Sequence, residues 1–117
     1  MKKKRILMVC EAFGGGVFTY VSQLCNDMVD VFDVYLAYSL RPQTPKNYTD
    51  FLDQRVHLIE MENVGVKGLT NLKSDIAAIK ELRQIEKDVQ PDVIHLHSSV
   101  AGGLGRLAYK GKNKTVV

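Results

Sequence analysis

Gly14-Gly15-Gly16 and the run from His97 to Arg106 hold the residues best suited to chemistry in this chain. Glycines permit positive φ and let a ligand come close to the backbone, and the free N–H groups of a following helix start attract anions. His97 can donate a hydrogen bond to a phosphate or sugar oxygen, or move a proton. Ser98 and Ser99 can cap a helix or present hydroxyls to a ligand, and the two roles are compatible. Gly102, Gly103 and Gly105 each cost about 1 kcal/mol inside a helix relative to Ala, which points to close packing or close ligand approach. Arg106 suits a phosphate contact and an exposed surface position equally.

The spacing excludes several chemistries. Gly14-Gly15-Gly16 is neither the G-x-G-x-x-G dinucleotide fingerprint nor a P-loop, so it reads as a Gly-rich turn of unassigned ligand. Cys10 and Cys25 form no C-x-x-C pair, and the histidines lack the i, i+4 spacing of a helical metal site, so no metal is expected. No G-x-S-x-G nucleophile elbow occurs. Aromatic residues are few and not interleaved with the basic ones, which gives no support to nucleic-acid binding.

The elements that must position these residues follow from hydrophobic patterning. Ile6 to Cys10 is an unbroken apolar run, as in a strand covered on both faces, and Glu11 to Gly16 reads as a loop. From Val17 the positions Val17, Tyr20, Val21, Leu24 and Met28 keep the helical period. A second strand spans Val31 to Tyr38, and a loop with Pro42 and Pro45 runs from Arg41 to Tyr48. Val56 to Met61 is a weaker third strand in which His57 is partly exposed. After a loop with Gly65 and Gly68, Asn71 is a plausible cap for a helix carrying Leu72, Ile76, Ile79, Leu82, Ile85 and Val89, which Pro91 ends. Val93 to Leu96 is another buried strand, Val100 to Tyr109 a helix, and Thr115-Val116-Val117 opens a further strand.

Strands alternating with helices give a doubly wound parallel α/β sheet with helices on both faces, in the order 3-2-1-4-5. That order sets the first strand beside the fourth. The loops after Cys10 and Leu96 then face each other at the carboxyl edge, where open α/β sheets bind ligands. His97 is expected at this cleft, and His95 on the other side of the strand or in a flanking contact.

The chain has 117 residues, enough for one domain and one core. Its 45% hydrophobic and 25% charged residues are those of an ordinary globular protein. A net charge of +3 is weak evidence for a polyanionic partner. No apolar run is long enough to span a bilayer and none behind Lys2 to Arg5 suits a signal peptide, so a cytoplasmic location is expected. The basic start can touch anionic lipid or simply solubilise the first strand. Both cysteines are expected to be reduced, buried and inert. Because Val117 falls inside what reads as a buried strand, residues 1–117 are expected to be the N-terminal piece of a longer protein.

Gly14-Gly15-Gly16-Val17 before an amphipathic helix resembles the first loop of retaining GT-B glycosyltransferases. Pro91 to Ser99, with Ala101-Gly102 and Gly105 to Ala108, resembles the fourth strand and helix of the capsular and O-antigen enzymes of that class. Leu72 to Ile76 and Leu82-Arg83 resemble the helix before it. The resemblance implies a Rossmann-like acceptor-side domain, residues 1–117, whose donor-binding C-terminal partner is absent. It also implies transfer from a nucleotide-sugar donor to a polyprenyl-diphosphate-linked sugar or saccharide acceptor in surface-polysaccharide synthesis, at the inner face of the plasma membrane. No metal or cofactor is implied. His97 would face the reacting centre, while Gly15 and Gly16 border the donor phosphates and transferred sugar. Gly14, Ser98, Ser99, Gly102 and Arg106 complete the substrate-binding set. Related enzymes often carry Lys where this chain has Val100, leaving Arg41 or Arg106 as possible phosphate cations. The rival readings are a dinucleotide-binding oxidoreductase domain and a flavodoxin-like binding module.

Overall fold

The computed structural model describes residues 3–62, 72–97 and 115–116. The described elements are β1 (Arg5–Phe13), α1 (Gly15–Met28), β2 (Asp33–Leu40), a 3-10 turn (Tyr48–Phe51), β3 (His57–Glu60), α2 (Leu72–Val89), β4 (Val93–His97) and β5 (Thr115–Val116). All strand pairs are parallel and the order is β3-β2-β1-β4-β5. Four strands make the body of the sheet, and β5 contributes two residues beside Val93 and Ile94. Ser98, Ser99, Gly102, Arg106 and the helix expected over 100–109 lie outside the described residues.

Alternation along the strands builds a core on each face. Ile6, Met8 and Cys10 face α1 and pack with Val21, Cys25, Val34 and Leu36. Leu7 and Val9 face α2 and pack with Ala78, Leu82, Ile85, Val89 and Ile94. Cys10 and Cys25 are free and fully buried. Burial pushes both thiols up to about 12, so neither is a thiolate nucleophile at neutral pH.

Three sequence expectations are corrected here. β1 does not stop at Cys10: Cys10 pairs with Tyr38 but Phe13 pairs with Leu40, so β1 carries one extra residue. Such a bulge reverses the alternation, and Phe13 therefore joins Ile6, Met8 and Cys10 on the α1 side. Its ring meets Phe18 edge-on at 4.8 Å and lies 5.2 Å from Tyr38. This ring contact sets the buried stripe of α1 as Phe18, Val21, Ser22 and Cys25, one residue round from the stripe the periodicity gave. Val17 and Tyr20 are left 42% and 61% exposed. Likewise Val31 is exposed in the turn before β2, and Ile76 is exposed on α2.

The basic start is used inside the fold. Lys3 Nζ donates to the Val29 carbonyl at the end of α1, and Arg5 Nη1 to the Val89 carbonyl at the end of α2. Cations at these positions satisfy orphan carbonyls and oppose the negative ends of the helix dipoles. Gln90 then ends α2 in the left-handed region at φ 53, immediately before Pro91.

Candidate functional site

The carboxyl edge of the sheet is shaped by how β1 turns into α1. Gly14 is the helix N-cap, with extended backbone and no side-chain cap, and no acidic residue stands in the first turn. The N–H groups that open α1 therefore lack the side-chain partners that usually satisfy them. Gly15 follows at φ 56, where side chains are disfavoured, and both it and Gly16 border open space. Helix thus begins two residues before Val17, which places Gly15 and Gly16 in the first turn rather than in a loop.

The loop after β2 closes over this helix start. The Arg41 N–H donates to Thr44 Oγ1 at 2.9 Å, and the Thr44 N–H returns a bond to the Arg41 carbonyl at 2.9 Å. Thr44 Oγ1 also donates to the Phe13 carbonyl, tying the loop to the end of β1. Ala12, Gly14, Gly15, Val17, Arg41 and Gln43 together line a cavity of about 230 Å³. A helix N-terminus attracts an anion, phosphate above all, and Arg41 lines the same cavity. Arg41 is thus the cation that the structure brings to the glycines. It is the first residue after β2, at the edge where such sheets bind ligands.

His97 ends β4 opposite Cys10. It does not line that cavity but lies on the α1 face, its ring 6.3 Å from Tyr20. Tyr20 stands one helical turn beyond Val17, so His97 and the cavity are neighbours across the start of α1. Nε2 of His97 is buried and has no hydrogen-bond partner among the described residues. Burial first, then His95, pushes the His97 imidazole down to about 4, so it is neutral at physiological pH. His95 shares its face, with the two ring centroids 4.0 Å apart. The expected opposite placement of His95 fails because residues two apart on a strand point the same way. Burial lowers the His95 pKa as well.

His57 is exposed at the edge strand, stacked on Tyr35 with Nε2 3.0 Å from Asp33 Oδ1, well away from the cleft. No group of three metal-ligating side chains occurs among the described residues. Nor is any helix among them long and apolar enough to cross a membrane.

These features define a parallel α/β, Rossmann-like domain whose carboxyl edge carries a crest formed by the uncapped start of α1 and Arg41. The model of Glycosyltransferase Family 4 matches residues 14–117, and the chain belongs to that family. Curated proteins gave no match. Among solved structures the chain is similar to the apo form of the lipopolysaccharide outer core galactosyltransferase WaaB. That match has a TM-score of 0.70 and 15% identity, and covers 96% of this chain and 32% of that one. A UDP-N-acetylglucosamine 2-epimerase from Listeria monocytogenes matches with a TM-score of 0.69 and 12% identity, over 99% of this chain and 31% of that one. The C-terminal domain of a hydrogenase from Pyrococcus furiosus matches with a TM-score of 0.68 and 12% identity, over 100% of this chain and 92% of that one. At these identities the likeness is one of fold. The chain spans about a third of the length of the galactosyltransferase and the epimerase.

Proposed function

We propose that this chain is the acceptor-side, N-terminal half of a GT-B glycosyltransferase. In this reading the whole protein moves a sugar from a nucleotide-sugar donor to a lipid-linked or saccharide acceptor, with retention and without a metal, in bacterial surface-polysaccharide synthesis. It works in the cytoplasm, at the inner face of the plasma membrane. The observation that carries the reading is the pairing of the family match with an uncapped α1 N-terminus beside Arg41.

In the reaction the acceptor hydroxyl replaces the nucleoside diphosphate at the sugar's anomeric carbon. Negative charge develops on the leaving diphosphate, and fixed dipoles aimed at it lower the barrier without reorganising. The open N–H groups of α1 supply such dipoles here, with Gly15 and Gly16 letting an oxygen approach them. Arg41 adds the cation that Val100 does not. The neutral His97, whose Nε2 has no hydrogen-bond partner among the described residues, is suited to hydrogen-bonding the acceptor or the transferred sugar from the β4 side. Ser98, Ser99, Gly102 and Arg106 remain part of the proposed binding set.

Because the sugar is held between two domains, residues 1–117 given a nucleotide sugar and a prenyl-diphosphate sugar should transfer nothing. A protein that also carries the donor domain should transfer. Turnover by the 117-residue chain alone would refute the two-domain reading.

A further inference from the structure

Glu11, Ser22, Ser39 and Glu86 are the buried polar and charged residues among those described. Ser39 and Glu86 have partners. Glu11 is only 6% exposed, yet no hydrogen bond or ion pair joins its carboxylate to any described residue. We propose that Glu11 binds the hydroxyls of an uncharged sugar ring and excludes a uronic acid from the same place. The proposal rests on the sugar-transfer reading and adds a specificity-determining residue that the reading itself does not use.

Glu11 stands where the sheet opens. The last β1–β4 pair is Cys10 with His97, and Glu11 is the next residue of β1. From Glu11 to Phe13, β1 runs on beside β2 with no β4 partner among the described residues. β2 and β3 lie on one side of β1, and β4 and β5 on the other. Ligands of open α/β sheets bind at that reversal, outside the carboxyl ends of the strands. The bulge sets Glu11 and Ala12 together against Ser39. Alternation from Leu7 and Val9 carries Glu11 to the α2 side of the sheet. Ala12, Gly14 and Arg41 line the crest cavity, whereas Glu11 does not.

A carboxylate taken out of water without a partner weakens a fold, and each such group requires an explanation. The partnerless polar atoms sealed from solvent are Ser22 Oγ and His97 Nε2. The Glu11 oxygens are not among them, so a ligand can reach them. A carboxylate accepts hydrogen bonds and donates none, and its two oxygens suit a pair of adjacent hydroxyls.

Charge decides what is refused. A uronic acid would bring a second carboxylate, and like charges in a partly buried site repel. Phosphate is refused here for the same reason, and finds the α1 start and Arg41 at the crest instead. A metal ion is a poor alternative, because no three metal-ligating side chains come together among the described residues.

The test titrates isotope-labelled chain with the methyl glycosides of glucose, galactose and mannose, and with the matching methyl uronides, following amide shifts by NMR. A neutral glycoside should shift the Glu11 and Ala12 amides and bind about tenfold or more tightly than its uronide. Glu11→Gln keeps the shape and removes the charge. It should weaken that glycoside about tenfold, as loss of charge-assisted hydrogen bonds does, and close the gap to the uronide. Because the carboxylate has no partner to lose, the urea midpoint of Glu11→Gln should stay level or rise. A fallen midpoint with glycoside binding intact would make Glu11 structural and overturn the proposal. So would the absence of shifts at Glu11 with every neutral glycoside, or a uronide gap that survives Glu11→Gln. The uronide comparison on the unaltered chain decides even where the variant folds poorly. The transferase reading fails separately. Glycosides that bind at Glu11, while a protein carrying the donor domain transfers no sugar, would support the proposal and refute that reading.

Discussion

A methyl group added to Gly14 would stand 2.9 Å from the Cβ of Gln43, closer than real Cβ atoms come. It would also meet the Gln43 carbonyl carbon at 3.2 Å and the Thr44 nitrogen at 3.3 Å, so the backbone of the Arg41 loop would have to move. Gly14 is therefore the residue that lets this loop lie against the start of α1 and holds Arg41 at the crest.

The three glycines should separate cleanly. Gly14→Ala overpacks the contact and should cost about 1–3 kcal/mol. Gly15→Ala places a side chain at positive φ and should cost about 1–2 kcal/mol. Gly16→Ala enters open space inside a helix and should gain up to about 1 kcal/mol. Urea denaturation reads all three. A Gly16→Ala chain of raised stability but weakened phosphate binding would mark Gly16 as a ligand position.

Asn26→Ala should release the segment around Phe51 and Asp53, since one amide supplies both of its ties to α1. Two hydrogen bonds at this level of exposure should be worth about 1–2 kcal/mol. Hydrogen exchange at the Asp53 amide should speed up more than exchange in β1. Unchanged protection there would contradict the clamp.

The sheet order and the two-sided core were legible in the sequence because buried parallel strands such as Ile6 to Cys10 are apolar throughout, and Leu82, Ile85 and Val89 keep the helical period. The crest was less legible. One extra residue after Cys10 re-aims Phe13, and a bulge leaves no mark in hydrophobic periodicity. That ring in turn selects Phe18 rather than Val17 as the buried residue of α1. The packing of Gly14 against Gln43 is a contact between distant residues, which local spacing does not announce. Lys3 and Arg5 read as a solubilising or lipid-seeking start, although each reaches the end of a helix. His95 was misplaced on the far side of β4, although strand alternation sets residues two apart on one face, where its ring lies 4.0 Å from that of His97.

Acid should weaken the fold through His97. Its pKa falls from an ordinary 6.5 to about 4 on folding, because burial favours the neutral ring. That neutral form contributes its full stability above pH 6.5 and loses it as pH falls towards 4. Asp53, held down to about 2 by Arg55, loses its contribution only below the ordinary carboxylate value of 3.8 and stays out of this window. The urea midpoint should drop between pH 6.5 and 4, and His97→Phe should flatten the drop. A midpoint that rises on acidification would contradict a buried neutral imidazole.

In a protein that also carries the donor domain, His97→Gln should lower kcat by about 10²–10⁴ if the ring moves a proton. A smaller loss confined to KM would limit His97 to binding. The same substitution should leave the α1 anion site unaltered, which phosphate shifts at Gly15 would verify.

The central claim is that the crest and His97 serve a sugar transfer and do not bind a dinucleotide. Amide shifts of the labelled chain, measured with a short-chain prenyl-diphosphate sugar and separately with NADH, test it most directly. The account predicts shifts at Gly14 to Gly16, Tyr20 and His97 with the lipid-linked sugar and none with NADH. Shifts at those residues with NADH alone would contradict it and make the domain a dinucleotide-binding one.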